Sequence, residues 1–200
     1  MTQTTQYIWQ QPSWPEFRWD NAALLKQIGI CRFQQGSLLT QMKDLGFDVR
    51  QQARAEVLIE EALKTSEIEG ERLDPNAVRS SVAQRLGLPT AGLASTKNQQ
   101  ADGVVQILLD ATQNFKQTLT PQRLFGWHAA LFPTGYSGMH KIKVASWRDD
   151  RNGPMRVVSG PIRREKIHYQ APSAERLADE MNRFFCWWED SRQEMDGILR

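Results

Sequence analysis

Helix punctuation constrains this chain more than any other feature. Apolar residues recur every three or four positions along several stretches, and residues that start or stop helices stand between them. Asp20 or Asn21 can cap a first helix running to about residue 45, where Gly46 ends it. Leu24, Leu25, Ile28, Leu38, Leu39 and Met42 supply its expected apolar face. A second helix covers residues 49–69 and stops at Gly70. Asp74-Pro75 gives cap and first position of a third, which closes at Gly87. A fourth covers residues 98–117, with Val104, Val105, Leu108, Leu109, Ala111 and Phe115 at helical spacing. Thr120-Pro121 opens a fifth through His128 and Leu131, and Pro133, Gly135 and Gly138 break it. Pro172-Ser173 opens a last amphipathic helix with Leu177, Met181, Phe184, Phe185 and Trp188 on its apolar side.

Two segments depart from this rhythm. Residues 155–159 and 166–170 read as short β segments about a Gly160-Pro161 turn. A lone hairpin is marginal in water, so this one must lean on helices. Tyr7, Trp9, Trp14, Phe17 and Trp19, spaced by Pro12 and Pro15, read as an extended aromatic arm. Such an arm either packs over the helices that follow it or binds a partner. The fold class expected is all-α, a helical bundle with one small β-hairpin. The Gly-, Ala- and Thr-rich stretch at residues 89–95 is the best boundary, giving units 1–95 and 96–200.

Composition removes several functions. The net charge is +2, with 11 basic and 11 acidic residues before position 101 and 14 against 12 after it. No basic field exists to draw nucleic acid or anionic lipid. Cys31 and Cys186 form no CxxC pair, and His128, His140 and His168 lack metal-ligand spacing. No stretch approaches the ~20 apolar residues of a membrane helix, and the first residues do not read as a signal peptide, so a cytoplasmic location is expected. Gly-rich phosphate loops and nucleophile elbows are absent. Cys186, beside Trp187, has no activating base.

One site carries physical tension. Leu58, Ala62, Thr65 and Glu69 step by four, three and four along one helix stripe that starts apolar and ends in a carboxylate. Glu69 falls in the last turn, where the helix dipole disfavours negative charge by a few tenths to ~1 kcal/mol. Spacing alone leaves two readings open: a solvated glutamate before an ordinary glycine cap, or a carboxylate aimed at a cation in a site.

The same residues carry a resemblance. Thr65-x-x-x-Glu69-Gly70 is similar to the inhibitory-helix pattern Ser/Thr-x-x-x-Glu-Gly/Asn of Fic-family protein AMP-transferases. Gln35-Gly36, Leu45-Gly46-Phe47, Val78-Arg79-Ser80-Ser81 and Arg85-Leu86-Gly87-Leu88 resemble the helical domain that often precedes a Fic core. Trp127-His128, Leu131-Phe132 and Trp147-Arg148 resemble the core's first part. Residues 153–160 and 168–172 resemble its flap. The resemblance implies a Fic-like but incomplete core, preceded by an N-terminal domain whose inhibitory helix spans about 49–70. It implies transfer of AMP from ATP, with Mg²⁺, to a Ser, Thr or Tyr hydroxyl of a protein substrate in the complete enzyme. The catalytic loop His-Pro-Phe-x-x-Gly-Asn-Gly-Arg-x-x-Arg does not occur, so no catalytic residue is assigned and neither ATP nor Mg²⁺ is expected to bind tightly to this chain alone. Thr65, Ser66, Glu69 and Gly70 are implied as the inhibitory, ATP-facing residues. Val157, Val158, Ser159, Gly160, His168 and Tyr169, in a flap at about 155–171, are implied to dock the target. In the family the glutamate pairs with the loop's last arginine and blocks the γ-phosphate. A rival reading is a non-catalytic, antitoxin-like module that inhibits a Fic partner in trans. A homodimer through the N-terminal helices is a further expectation; nucleic-acid and membrane partners are not expected.

Overall fold

The computed structural model describes residues 7–89, 98–161 and 164–200. It is mainly helical, with two small antiparallel strand pairs. A 3-10 turn at Ile8–Gln10 precedes α1 (Asn21–Asp44), α2 (Phe47–Ile68), α3 (Pro75–Leu86), α4 (Gln99–Gln113) and α5 (Pro121–Leu131). Strands β1 (Tyr136–Ser137), β2 (His140–Lys141), β3 (Arg156–Ser159) and β4 (Lys166–Gln170) follow, then a second 3-10 turn (Ala174–Arg176) and α6 (Leu177–Glu194). One hairpin was expected and two are present. β1 and β2 are two residues long, too short for alternation to register in the sequence, and they turn at Gly138, whose φ of +57° suits glycine.

Packing gathers residues 33–146 into one compact unit, and residues up to 32 with 147–200 into another. The boundary expected at residues 89–95 lies, from Thr90 onward, outside the described residues.

Unit 33–146 has an apolar core. Ala55, Leu58, Ile59 and Ala62 of α2 meet Ala77, Val78 and Val82 of α3 and Ala101 and Val105 of α4. Small side chains at the crossings let the helices approach closely. The caps follow the punctuation. Asp74 accepts the Asn76 N–H at 3.0 Å, Gly87 closes α3 at φ +67°, Asn98 accepts two N–H groups of α4, and Thr120 caps α5. At Gly103 a Cβ would lie 2.0 Å from the Ala130 carbonyl oxygen, so α4 and α5 touch backbone to backbone.

Several expected core positions are not buried. None of α1's residues is buried: Leu24, Ile28 and Met42 are half-covered, while Leu25, Leu38 and Leu39 are exposed. Periodicity marks an apolar face without supplying a partner for it. α4 ends at Gln113, short of residue 117, and Ala111 and Phe115 are exposed. Its end is set by polar competition: Arg123 takes the carbonyls of Asp110, Asn114 and Gln117. On α6, Leu177, Met181, Phe185 and Trp188 are half-buried and Phe184 is exposed.

In the other unit, only Ala171 and Ser191 among the described residues are buried. Its order comes from directional contacts. Trp9 Nε1–H donates to the Gln170 carbonyl at 2.7 Å, and the Arg176 guanidinium lies 5.2 Å over the Trp9 ring. Tyr7 meets Tyr169 edge-on at 5.6 Å, and Trp14 Nε1–H donates to Glu180 at 3.2 Å. The arm is therefore not extended throughout: Trp9 and Trp14 pack on β4 and α6, and Trp19 Nε1–H donates to Asn21 at the start of α1 at 2.8 Å.

Candidate functional site

The end of α2 is built by backbone bonds. Glu71 N–H reaches back to the Ser66 carbonyl at 2.9 Å and Gly70 N–H to Glu67 at 3.0 Å. This six-to-one closure requires a left-handed residue, and Gly70 provides it at φ +81°. Glycine and asparagine are the residues that tolerate this conformation best, which gives the Gly/Asn choice of the pattern a physical reason. Helix α2 proper stops at Ile68, and Glu69 is its C-cap residue, at φ −81° and ψ 4°.

Thr65, Ser66, Glu69 and Gly70 thus come together at one helix end, but not on the stripe expected. The buried stripe runs Ala55, Leu58, Ile59, Ala62 and Ser66. At 3.6 residues per turn Ser66 lies about 40° to one side of Ala62 and Thr65 about 60° to the other, and packing covers the Ser66 side. Thr65 is exposed and its hydroxyl donates to Glu61 at 3.2 Å. Glu69 is exposed and enters none of the ion pairs among the described residues. The nearby charges are engaged with each other: Lys64 Nζ meets Glu67 at 3.0 Å, and that bond raises the lysine pKa above its ordinary value. Ile68, beside Glu69, is 84% exposed, and no sequence signal singled it out.

The flap residues form a second cluster, within the other unit. Val157 pairs with Tyr169 and Val158 with Ile167, leaving His168 as the extra residue of a bulge. The bulge turns His168 so that its Nε2 lies 2.6 Å from Ser159 Oγ. Val157 and Val158 are about half exposed, at 51% and 46%. Gly160 has φ +99°, and a Cβ there would come within 2.9 Å of the Arg164 carbonyl. Residues 162 and 163 of the expected flap lie outside the described residues.

Two carboxylate hubs escaped the sequence reading. Asp110 accepts from Asn114 (2.7 Å), Arg123 (2.7 Å) and Trp127 (2.8 Å), and these bonds, that of Asn114 foremost, hold its carboxyl below the usual range. Glu180 accepts from Trp14, Arg176 and Arg183. Burial pushes its pKa up, but the donors together outweigh burial and leave it below the usual value. The only sequence trace of the first hub is Arg123 and Trp127 four apart on one helix face, which names no acid. His128 sits half-buried against Phe132, its ring centroid 5.1 Å away. Cys31 and Cys186 are free and exposed. Among the described residues no group of three or more His, Cys, Asp or Glu is placed to hold a metal, and no helix is long and apolar enough to cross a membrane.

Residues 7–88, from the aromatic arm to just past α3, match a family described as "Domain of unknown function (DUF4172)". No curated protein matches the chain. The matched stretch is less than half the chain, and it contains the whole α2 helix end with Thr65, Ser66, Glu69 and Gly70.

Proposed function

We propose that this chain is the regulatory N-terminal domain and partial core of a Fic-type protein AMP-transferase, with Glu69 as its brake. One observation carries the reading: Glu69 is an exposed carboxylate, outside every ion pair among the described residues, held by a rigid glycine closure at a helix end whose dipole disfavours it. A carboxylate so placed gains by meeting a cation, and an arginine of a catalytic loop is such a cation. Thr65 and Ser66 shape the last turn, and Gly70 fixes where the glutamate stands. The β3–β4 flap, with half-exposed Val157 and Val158, receives an extended segment of the protein substrate by strand addition. The chain's own residues do not fit a nucleotide–metal site: no phosphate-cradling glycine loop occurs in the sequence, and no carboxylate cluster suits Mg²⁺ among the described residues. On this reading ATP and Mg²⁺ act in the complete enzyme.

Incubation of the 200-residue chain with labelled ATP and magnesium should give no self-labelling; robust labelling would refute the reading. In a chain that continues through the catalytic loop, Glu69→Gly should raise labelling at least tenfold, the factor that ~1.4 kcal/mol of lost inhibition represents. Equal labelling of both forms removes the brake assignment. The exposed Ile68–Glu69 tip also suits inhibition of a separate Fic protein in trans. Co-purification with such a partner, lost on Glu69→Gly, would select that second reading.

A further inference from the structure

The hairpin β3–β4 has two outer edges, and the arm touches one of them. In an antiparallel ladder, a residue turns its N–H and C=O together toward the partner strand, and the next residue turns both away. Ala171 N–H bonds to the Met155 carbonyl at 3.0 Å, so Ala171 faces inward. Gln170 therefore faces outward, and its carbonyl takes the Trp9 indole N–H at 2.7 Å. The same alternation turns Met155 inward and Arg156 and Val158 outward on the other edge.

Three more contacts make the Trp9 clamp a built feature. Arg176 stacks on the Trp9 ring at 5.2 Å, so the indole is held from the α6 side. Tyr7 packs edge-on against Tyr169 at 5.6 Å. Trp14 donates to Glu180, which Arg176 also contacts, so the arm is tied at two points to one network. An indole N–H on a strand's outward carbonyl is also a device that blunts a sheet edge.

We infer that the N-terminal arm selects the docking edge of the flap: Trp9 clamps β4 from outside, leaving the outer edge of β3 to receive an extended protein segment. Trp9 is then a positioning residue, acting on the target through the hairpin. The partner it fits is a stretch of polypeptide in β conformation, bonded to the outward groups of Arg156 and Val158 and covering the exposed Val157 and Val158 side chains. The docking role rests on the flap reading above; the clamp itself does not.

Amide hydrogen exchange on the 200-residue chain, read residue by residue, tests the clamp without any transfer assay. In the wild type, the Arg156 and Val158 amides should exchange at nearly unprotected rates, since their edge is open. Trp9→Phe keeps a ring for Arg176 and removes only the N–H. It should speed exchange of the Tyr169 and Ala171 amides about three- to tenfold, the weight of one hydrogen bond, while Val82 and Val105 amides stay unchanged. Unchanged Tyr169 and Ala171 rates would overturn the clamp. So would equal acceleration at Val82 and Val105, which would mark a general loss of stability. Strong protection of Arg156 and Val158 in the wild type would show the β3 edge already closed and overturn the edge assignment. Labelled-ATP results bear on none of these outcomes, so a failed clamp and a failed AMP-transferase reading remain distinguishable.

Discussion

The two compact units are held together by different physics. Unit 33–146 buries Val78, Val82, Ala62 and Ala101 completely and places almost nothing polar among them. The other unit buries almost nothing and relies on indole N–H groups, guanidinium stacking and shared carboxylates. Burial is non-directional and sums over many small contacts. A hydrogen bond from Trp9 or Trp14 is directional and can be removed with one atom. The α2–α3–α4 core of the first unit should therefore fail through packing, and the second unit, like the Asp110 hub of the first, through single donors and acceptors.

The largest break should come at Gly103. A methyl group there would meet the Ala130 carbonyl oxygen at 2.0 Å, and neither helix backbone can yield locally. Gly103→Ala should destabilise the helical unit by about 3 kcal/mol or more, forcing α4 from α5. Thermal unfolding followed by helix circular dichroism would show it. A loss under ~1 kcal/mol would mean that the two helices slide apart easily.

Acid should act on one carboxylate hub in each unit, Asp110 in the first and Glu180 in the second. Glu180 and Asp110 both titrate below their ordinary values of 4.5 and 3.8 when folded. A depressed folded value means that their stabilising effect is complete above those ordinary values and is lost as pH falls through the lower folded ones. As pH falls below 4.5 and through its lower folded value, Glu180 should release Trp14, seen as a shift of its indole N–H resonance, while the α2–α3 amides hold. Glu180→Gln should abolish that acid step and cost roughly 1–2 kcal/mol at neutral pH through weakened bonds to Arg176 and Arg183. An indole resonance that ignores acid titration for as long as the chain stays folded would show that the carboxylate does not hold the arm.

The same contrast explains what the sequence could reveal. Helix starts and stops were legible at Asp74-Pro75, Gly87, Asn98, Thr120-Pro121 and Gly70, because a cap is a local bargain between a side chain and its own backbone. The hairpin at residues 156–170 was legible from its β-branched residues and Gly160. Burial was not: Leu38, Leu39 and Phe115 have the right spacing yet stay exposed, and Ser66 rather than Thr65 turns inward, because neighbours decide burial. Trp9 and Gln170, 161 residues apart, carry no mark in the sequence of their meeting. At the candidate site, the Glu69-Gly70 closure could be read from the chain, whereas the free carboxylate and the exposed Ile68 needed the surrounding residues in place.

The smallest effect sharpens the comparison from the opposite side. Ser81 is 4% exposed in α3, against the core, and its hydroxyl has no hydrogen-bond partner among the described residues. In a unit held by directional bonds, an orphaned donor would be a fault in the framework. In a unit held by burial, it is a desolvated group whose removal helps. Ser81→Ala keeps nearly the same volume, improves helix propensity and removes the unpaired oxygen. It should raise stability by about 0.5–1 kcal/mol, read as a higher denaturant midpoint at unchanged slope. A loss of similar size would mean that Ser81 has a partner in solution, such as a bound water. The core of unit 33–146 would then owe part of its stability to the same kind of bond that holds the arm.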